Sequence, residues 1–306
     1  MTITLFENFR AVFYTPFYAS VALDAYAAEG IDVRLKTSPD PETTAKALLT
    51  GEADVSWGGP MRVLHTHDKD PDCGLVAFAE VVTRDPFFLI GREPKPDFAM
   101  QHLSEVRIAT VSEVPTPWLC LQDDVRRAGM DPNSIDRVDN RTMAENEAAL
   151  RAGSIDAIQV FQPYAEHLIR DGVGHIWYAA ADRGPCSYTA LYAKTETLKE
   201  KREIAFAMTR AIYRTLKWLH AQPPASVAAT VAEYFPDLDP DVLTGCIARY
   251  IALGAYGKTP VLPRDGFERL RGACLSGGLV TRGASYEDCV DTALARSAVE
   301  ADPPSM

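Results

Sequence analysis

The side chains of this 306-residue chain best equipped to meet a ligand stand in short stretches where an apolar run gives way to a turn. The first holds Asn8, Phe9, Arg10 and Tyr14; a second runs from Trp57 through Gly58 and Gly59 to Arg62. Later stretches hold Ser112, Thr116 and Trp118, then Phe161 and Gln162, and finally Tyr188. Arginine presents a charged fork of donors, an amide or hydroxyl fixes orientation, and aromatic faces enclose a flat ring. Together these types suit a small anionic or heteroaromatic ligand. For several of them a plainer role competes. Arg10 suits a solvated surface charge equally well, and Gln162 could cap its own helix. Ser112 could form a local turn. Trp57, before two glycines that permit close backbone approach, is favoured as a binding residue over a simple tight turn.

Other chemistries find less support. His65-Thr-His67-Asp68 places its histidines at i and i+2, which face apart on a helix, and no third ligand stands near, so no metal is expected. No dinucleotide fingerprint, phosphate-binding loop, GxSxG elbow or HExxH pair occurs, and no cofactor is expected. The six cysteines form no CxxC pair. Cys186-Ser187 reads as a buried thiol rather than a nucleophile, because no positioned base can be named.

Composition narrows the partners. A net charge of -11 repels phosphate backbones and anionic membranes, so nucleic acid is not an expected partner. No stretch approaches the roughly 18 consecutive apolar residues of a membrane span. The first residues show no basic segment, apolar core or small-residue cleavage site, so a cytoplasmic location is expected, with a periplasmic one as the alternative if a signal has been removed. Cysteine usage fits a reducing compartment slightly better.

The elements that must position the candidates alternate. Ile3 to Phe6 reads as a strand, and Thr15-Pro16 should cap and open a helix carrying Phe17, Val21, Ala25 and Ala28 until Gly30 stops it. Ile31 to Val33 resumes as a strand, Glu42 to Thr50 is a helix ended by Gly51, and Ala53 to Trp57 a third strand. The order recurs about a hundred residues on: strand Arg107 to Val111, a helix opened by Thr116-Pro117, and a strand around Ile135-Asp136. Thr15-Pro16-Phe17 and Thr116-Pro117-Trp118 stand 101 residues apart; Ala47-Leu48-x-x-Gly51-x-x-Asp54 returns 102 residues later as Ala149-Leu150-x-x-Gly153-x-x-Asp156.

The expected class is α/β, with two similar lobes: residues 1–85 with 189–306, and residues 86–188. Pro86 to Ile90 and Tyr188 to Tyr192 are the hinge-strand candidates. The helical remainder, including Ile204, Met208, Ile212 and Leu216, should pack on the first lobe, and the tail from Val299 is expected to be disordered. In open parallel sheets a ligand lies beyond the carboxyl ends of the strands, here the loops after Phe6, Leu35, Trp57, Val111 and Val160. The helices opening at Pro16 and Pro117 would turn free N–H groups toward that crevice.

Three segments give the chain a family resemblance: Phe17 through Gly30 to Val33, Leu49 to Val55, and Gly153 to Tyr164 with Phe161-Gln162-Pro163. Nearly the whole length resembles the type II periplasmic binding proteins that include the thiamine-pyrimidine-precursor, aliphatic sulfonate, nitrate and taurine binding proteins. The resemblance implies two lobes joined by two strands, closing on a small ligand and passing it to an ABC transporter permease. Enzymes share the architecture, so a cytoplasmic lyase, decarboxylase or thiamine-pyrimidine-pathway relative is the alternative. The cysteine-rich segment of the pyrimidine synthase type is replaced here by Gly184-Pro-Cys186-Ser-Tyr188. The first-loop cysteine of the desulfinase type has no counterpart between Asn8 and Tyr14. A ligand-sensing regulatory domain is a third possibility.

Overall fold

The computed structural model describes residues 2–306. From the amino end the chain runs β1 (Thr2–Glu7), α1 (Thr15–Ala22), α2 (Ala25–Ala28), β2 (Asp32–Thr37), α3 (Pro41–Thr50), β3 (Val55–Gly58), α4 (Pro60–Lys69) and β4 (Leu75–Val82). It continues through β5 (Phe88–Gly91), β6 (Arg107–Ala109), α5 (Thr116–Arg127), β7 (Asp136–Val138), α6 (Met143–Arg151), β8 (Ala157–Val160), α7 (Tyr164–Arg170) and β9 (His175–Ala179). It then returns as β10 (Thr189–Lys194) and ends in α8 (Thr195–Glu200), α9 (Arg202–Ala221), α10 (Pro224–Val231), α11 (Pro240–Ala252), α12 (Arg264–Ser276), α13 (Tyr286–Cys289) and α14 (Ala293–Glu300).

The strands form two five-stranded sheets, ordered β2-β1-β3-β10-β4 and β7-β6-β8-β5-β9. The orders correspond strand for strand. In each, the first three strands run parallel, and the fourth is an antiparallel strand entered just after the chain crosses between sheets. The hinge candidates are therefore sheet members: Pro86 to Ile90 leads into β5, and Tyr188 to Tyr192 into β10. The crossings themselves are the short segments before them, around residues 83–87 and 183–188.

The repeated Gly-x-x-Asp has a structural cause. Asp54 and Asp156 each precede the third strand in their sheet's order, β3 and β8, and each carboxylate clamps the neighbouring second strand, β1 and β6. Asp54 Oδ2 accepts from the Thr4 N–H at 2.8 Å and Asp156 Oδ2 from the Arg107 N–H at 2.9 Å. Gly51 and Gly153 end the preceding helices with φ of +79° and +70°, where a side chain would be strained.

Three local expectations need correction. Thr15 does not cap α1; its hydroxyl donates to the Val12 carbonyl at 2.7 Å. The helix expected to run to Gly30 breaks at Asp24, which takes a left-handed φ of +54°, so α1 and α2 are separate. The carboxyl tail is pinned on α9: Lys217 pairs with Asp302, and Arg214 Nε donates to the Pro304 carbonyl at 3.1 Å. The carboxyl-terminal helices also reach further than the first lobe, since α11 touches α7 and α12 touches α5.

Candidate functional site

A cleft opens where the carboxyl ends of the parallel strands of both sheets face one another. Its upper chamber, about 340 Å³, is walled on one side by Asn8, Phe9 and Arg10 after β1 and by Pro39 and Asp40 after β2. The other side comes from the second sheet's loops: Glu113 and Val114 after β6, Met143 at the start of α6, and Phe161 after β8. A smaller lower chamber, about 50 Å³, shares Asn8, Phe9 and Val114 and adds Phe13, Tyr14, Gly59, Met61, Arg62, Thr116 and Tyr188. Tyr14, next to the start of α1, and Thr116, which opens α5, thus converge on one chamber, as the duplicated helix starts lead one to expect.

The two arginines proposed from sequence behave differently. Arg10 is neutralised: its Nη2 and Nε lie 2.7 and 3.2 Å from Glu7 Oε1, and its Nη1 donates to the Tyr234 carbonyl at 3.0 Å. Tyr18 and Tyr234 flank the guanidinium at 5.1 and 5.4 Å from their ring centroids. Glu7 is fully buried and also accepts from Thr37 Oγ1 and Tyr18 Oη, each at 2.7 Å. A buried carboxylate held this way demands its cation, so Arg10 answers Glu7 before any ligand.

Arg62, in the first turn of α4, is free by comparison. It makes no ion pair among the described residues. Its Nε is buried without a partner, and its Nη1 lies 3.4 Å from His65 Nδ1. A guanidinium with unused donors at a chamber wall is suited to an anionic group.

Asn8 is the second unsatisfied group. It is 5 % exposed, and its Oδ1 has no hydrogen-bond partner. The amide's other arm packs over Gly58, where an added Cβ would collide with Asn8 Nδ2 and lie 3.1 Å from Tyr192 Cε1. Gly58 therefore makes room for Asn8 rather than for a ligand. Burial pushes the Tyr14 and Tyr188 phenols well above their usual range, so both present neutral rings and hydroxyls.

Four other candidates stand elsewhere. Trp57 is fully buried beneath the cleft, stacked on Phe17 with centroids 4.8 Å apart and planes 10° apart, so it is core rather than ligand wall. Trp118 packs in the core of the second sheet, with the Arg137 guanidinium 4.2 Å above its ring. Ser112 spends its hydroxyl on the Arg141 carbonyl at 2.7 Å. Gln162 caps α7, its Oε1 accepting from the Glu166 N–H at 2.8 Å, and it faces a side groove beyond Arg10 and Phe161.

Sequence reasoning passed over Phe13, Pro39, Asp40, Met61, Glu113, Val114 and Met143 as lining residues. Asp40 carried a readable signal: an aspartate before a helix-opening proline marks an N-cap, and its Oδ1 accepts from the Glu42 and Thr43 N–H groups at 2.8 Å. The others are ordinary apolar or acidic neighbours of the flagged positions. Among the described residues no group of three or more histidine, cysteine, aspartate or glutamate side chains is arranged to hold a metal. His65 faces Arg62, while His67 is bonded to backbone carbonyls. All six cysteines are free and buried.

Comparison with known proteins agrees with this architecture. A curated relative from Bacillus subtilis (strain 168), named "Putative binding protein YtlA", is 25 % identical over 291 residues, covering 94 % of this chain and 87 % of its own. A solved structure from Bordetella bronchiseptica RB50 superposes with a TM-score of 0.77 at 20 % identity, covering 99 % of this chain and 98 % of that one. The periplasmic aliphatic sulphonate binding protein SsuA from Escherichia coli superposes with a TM-score of 0.75 at 15 % identity, covering 94 % and 95 %. At such identities the superpositions establish a shared two-lobed fold and no more. The model of the family described as NMT1/THI5 like matches residues 13–226, which span α1, both crossings and nearly all of both sheets, and the chain belongs to that family.

Proposed function

We propose that this chain is a solute-binding protein that encloses a small anionic or heteroaromatic ligand between its two lobes and delivers it to an ABC transporter permease. One observation carries the reading: an inter-lobe cleft with aromatic walls holds two buried polar groups, Arg62 Nε and Asn8 Oδ1, that the protein itself leaves unpartnered. Buried polar atoms are almost always bonded, and these two belong to residues that line one chamber, so a ligand entering it accounts for both. The naming of YtlA as a binding protein and the shared fold with SsuA support the transport role. On this reading the proposed compartment is the alternative one, outside the cytoplasmic membrane. The enzyme alternative is not favoured, because the lining of neither chamber includes a cysteine or a histidine.

The test is a melting-temperature screen against aromatic acids, pyrimidines, sulfonates and nitrate. A ligand of the native state raises the melting point in proportion to the logarithm of its concentration once saturating. At least one class should do so, and Arg62→Gln should abolish that shift while leaving the unliganded melting point nearly unchanged. No shift with any class, or a shift unaffected by Arg62→Gln, contradicts the proposal.

A further inference from the structure

The distribution of charge along the cleft is polar in a way that Arg62 alone does not explain. The lower chamber holds one uncompensated cation, Arg62. The upper chamber holds Arg10, whose charge Glu7 cancels, and two carboxylates, Asp40 and Glu113, facing it from opposite lobes. Neither has a cationic side chain in ion pair among the described residues. Each is held in place by a helix start. Asp40 accepts from Glu42 and Thr43 at the opening of α3, and Glu113 Oε1 accepts from the Met143 N–H at 2.8 Å at the opening of α6. Those bonds, with Arg62 as a more distant contribution, hold the Asp40 carboxyl below the usual carboxylate range, so it stays charged. Asp40 Oδ2 also accepts from the Thr43 hydroxyl at 2.7 Å, and Glu113 Oε2 from the Ser112 N–H at 3.2 Å with the Ser112 hydroxyl 3.5 Å away, so at least one of the roughly four lone-pair sites on each carboxylate remains free.

Between the two charged regions lies Asn8, common to both chambers and about nineteen-twentieths buried, whose orphan atom is an acceptor. With its Nδ2 packed over Gly58, the amide asks for a donor at Oδ1. Cation below, acceptor at the waist and two anions above describe the complement of one kind of molecule.

We propose that the cleft selects a dipolar aromatic or heteroaromatic acid. Its compact anionic group meets Arg62, its N–H donor meets Asn8 Oδ1, and its protonated nitrogen lies between Asp40 and Glu113. This deepens the solute-binding reading and rests on it. Because the two carboxylates belong to different lobes, the ligand's cation also ties the lobes together and favours the closed form.

The test uses the full chain and three matched probes in calorimetric titration: benzoate, benzylammonium and 4-(aminomethyl)benzoate. The dipolar probe should bind at least about tenfold more tightly than benzoate, the gain expected for a hydrogen-bonded charge pair. Asp40→Asn combined with Glu113→Gln should erase that gain while benzoate binding persists, equal or tighter because two negative charges leave the cleft. Asparagine is as good an N-cap as aspartate and glutamine keeps an acceptor for Met143, so both helix starts survive the exchange. Equal binding of benzoate and the dipolar probe, a gain that persists in the double variant, or benzylammonium binding as tightly as the dipolar probe overturns the dipolar assignment alone. Binding of none of the three overturns it together with the aromatic-anion reading of the cleft.

Discussion

Arg10 and Arg62 show why residue type alone could not assign the site. Arg10 stands in the loop after β1 and Arg62 in the first turn of α4 after β3, and sequence offers them equally. What separates them is Glu7, three residues before Arg10 and buried at the end of β1, a partner that became apparent only once Tyr18 and Thr37 were seen to hold its carboxylate. Trp57 carries the same lesson from the apolar side. Its alternating strand pattern placed it correctly next to the cleft but could not say whether the ring points into it. The ring lies instead against Phe17, Tyr14 and Tyr18. Trp57→Ala should therefore reduce folding stability by about 3–5 kcal/mol, the usual cost of emptying a large aromatic site in a core. Urea denaturation checks this; a stability within about 1 kcal/mol of the parent would return Trp57 to the list of ligand contacts.

At the scale of elements the sequence was more legible, because caps and stops are local. Gly51 ends α3, whose start lies at Asp40-Pro41 rather than at the expected Glu42, Thr116-Pro117 opens α5, and the repeated Gly-x-x-Asp marks where each sheet is clamped. The break at Asp24 was not legible, since nothing in the apolar spacing of Phe17, Val21, Ala25 and Ala28 signals a left-handed residue between them. Helix α4 shows how an apparent metal motif dissolves into anchoring. His67 Nε2 lies 2.8 Å from the Leu75 carbonyl and Nδ1 3.2 Å from the Pro71 carbonyl, and only the imidazolium donates at both. The Cys73 side chain first, and then these carbonyls, push its pKa up to about 9 against the opposing effect of burial. The folded value stands above the unfolded one of about 6.5, so this stabilisation is full below pH 6.5 and is lost as pH rises through about 9. The melting-point gap between the parent and His67→Gln should accordingly be widest near pH 6 and close above pH 9. A gap that widens with pH would contradict the imidazolium assignment.

On the scale of the whole molecule, the duplicated sheets and the cleft between them followed from the repeat, whereas the way the two crossings are tied did not. Arg183, buried on the second crossing, bonds Asp85 on the first and Asp124 on α5, and Asp85 Oδ1 accepts from the Phe87 N–H at 3.0 Å. These residues lie far apart in the chain, and no local pattern links them. Removing one partner from such a buried group strands the other charge, so Asp85→Ala should cost about 3–5 kcal/mol of stability by denaturant titration, and a change below about 1 kcal/mol would show the crossings to be held by packing alone. On the proposed function one cleft, completed by Arg62 and Asn8, receives the solute, and a crystal structure with a compound that raises the melting point decides it. Density is expected in the chambers shared by the two lobes, with an acidic group on the Arg62 guanidinium and a donor on Asn8 Oδ1. Density in the side groove beyond Arg10 and Gln162, or on the outer surface, would contradict it.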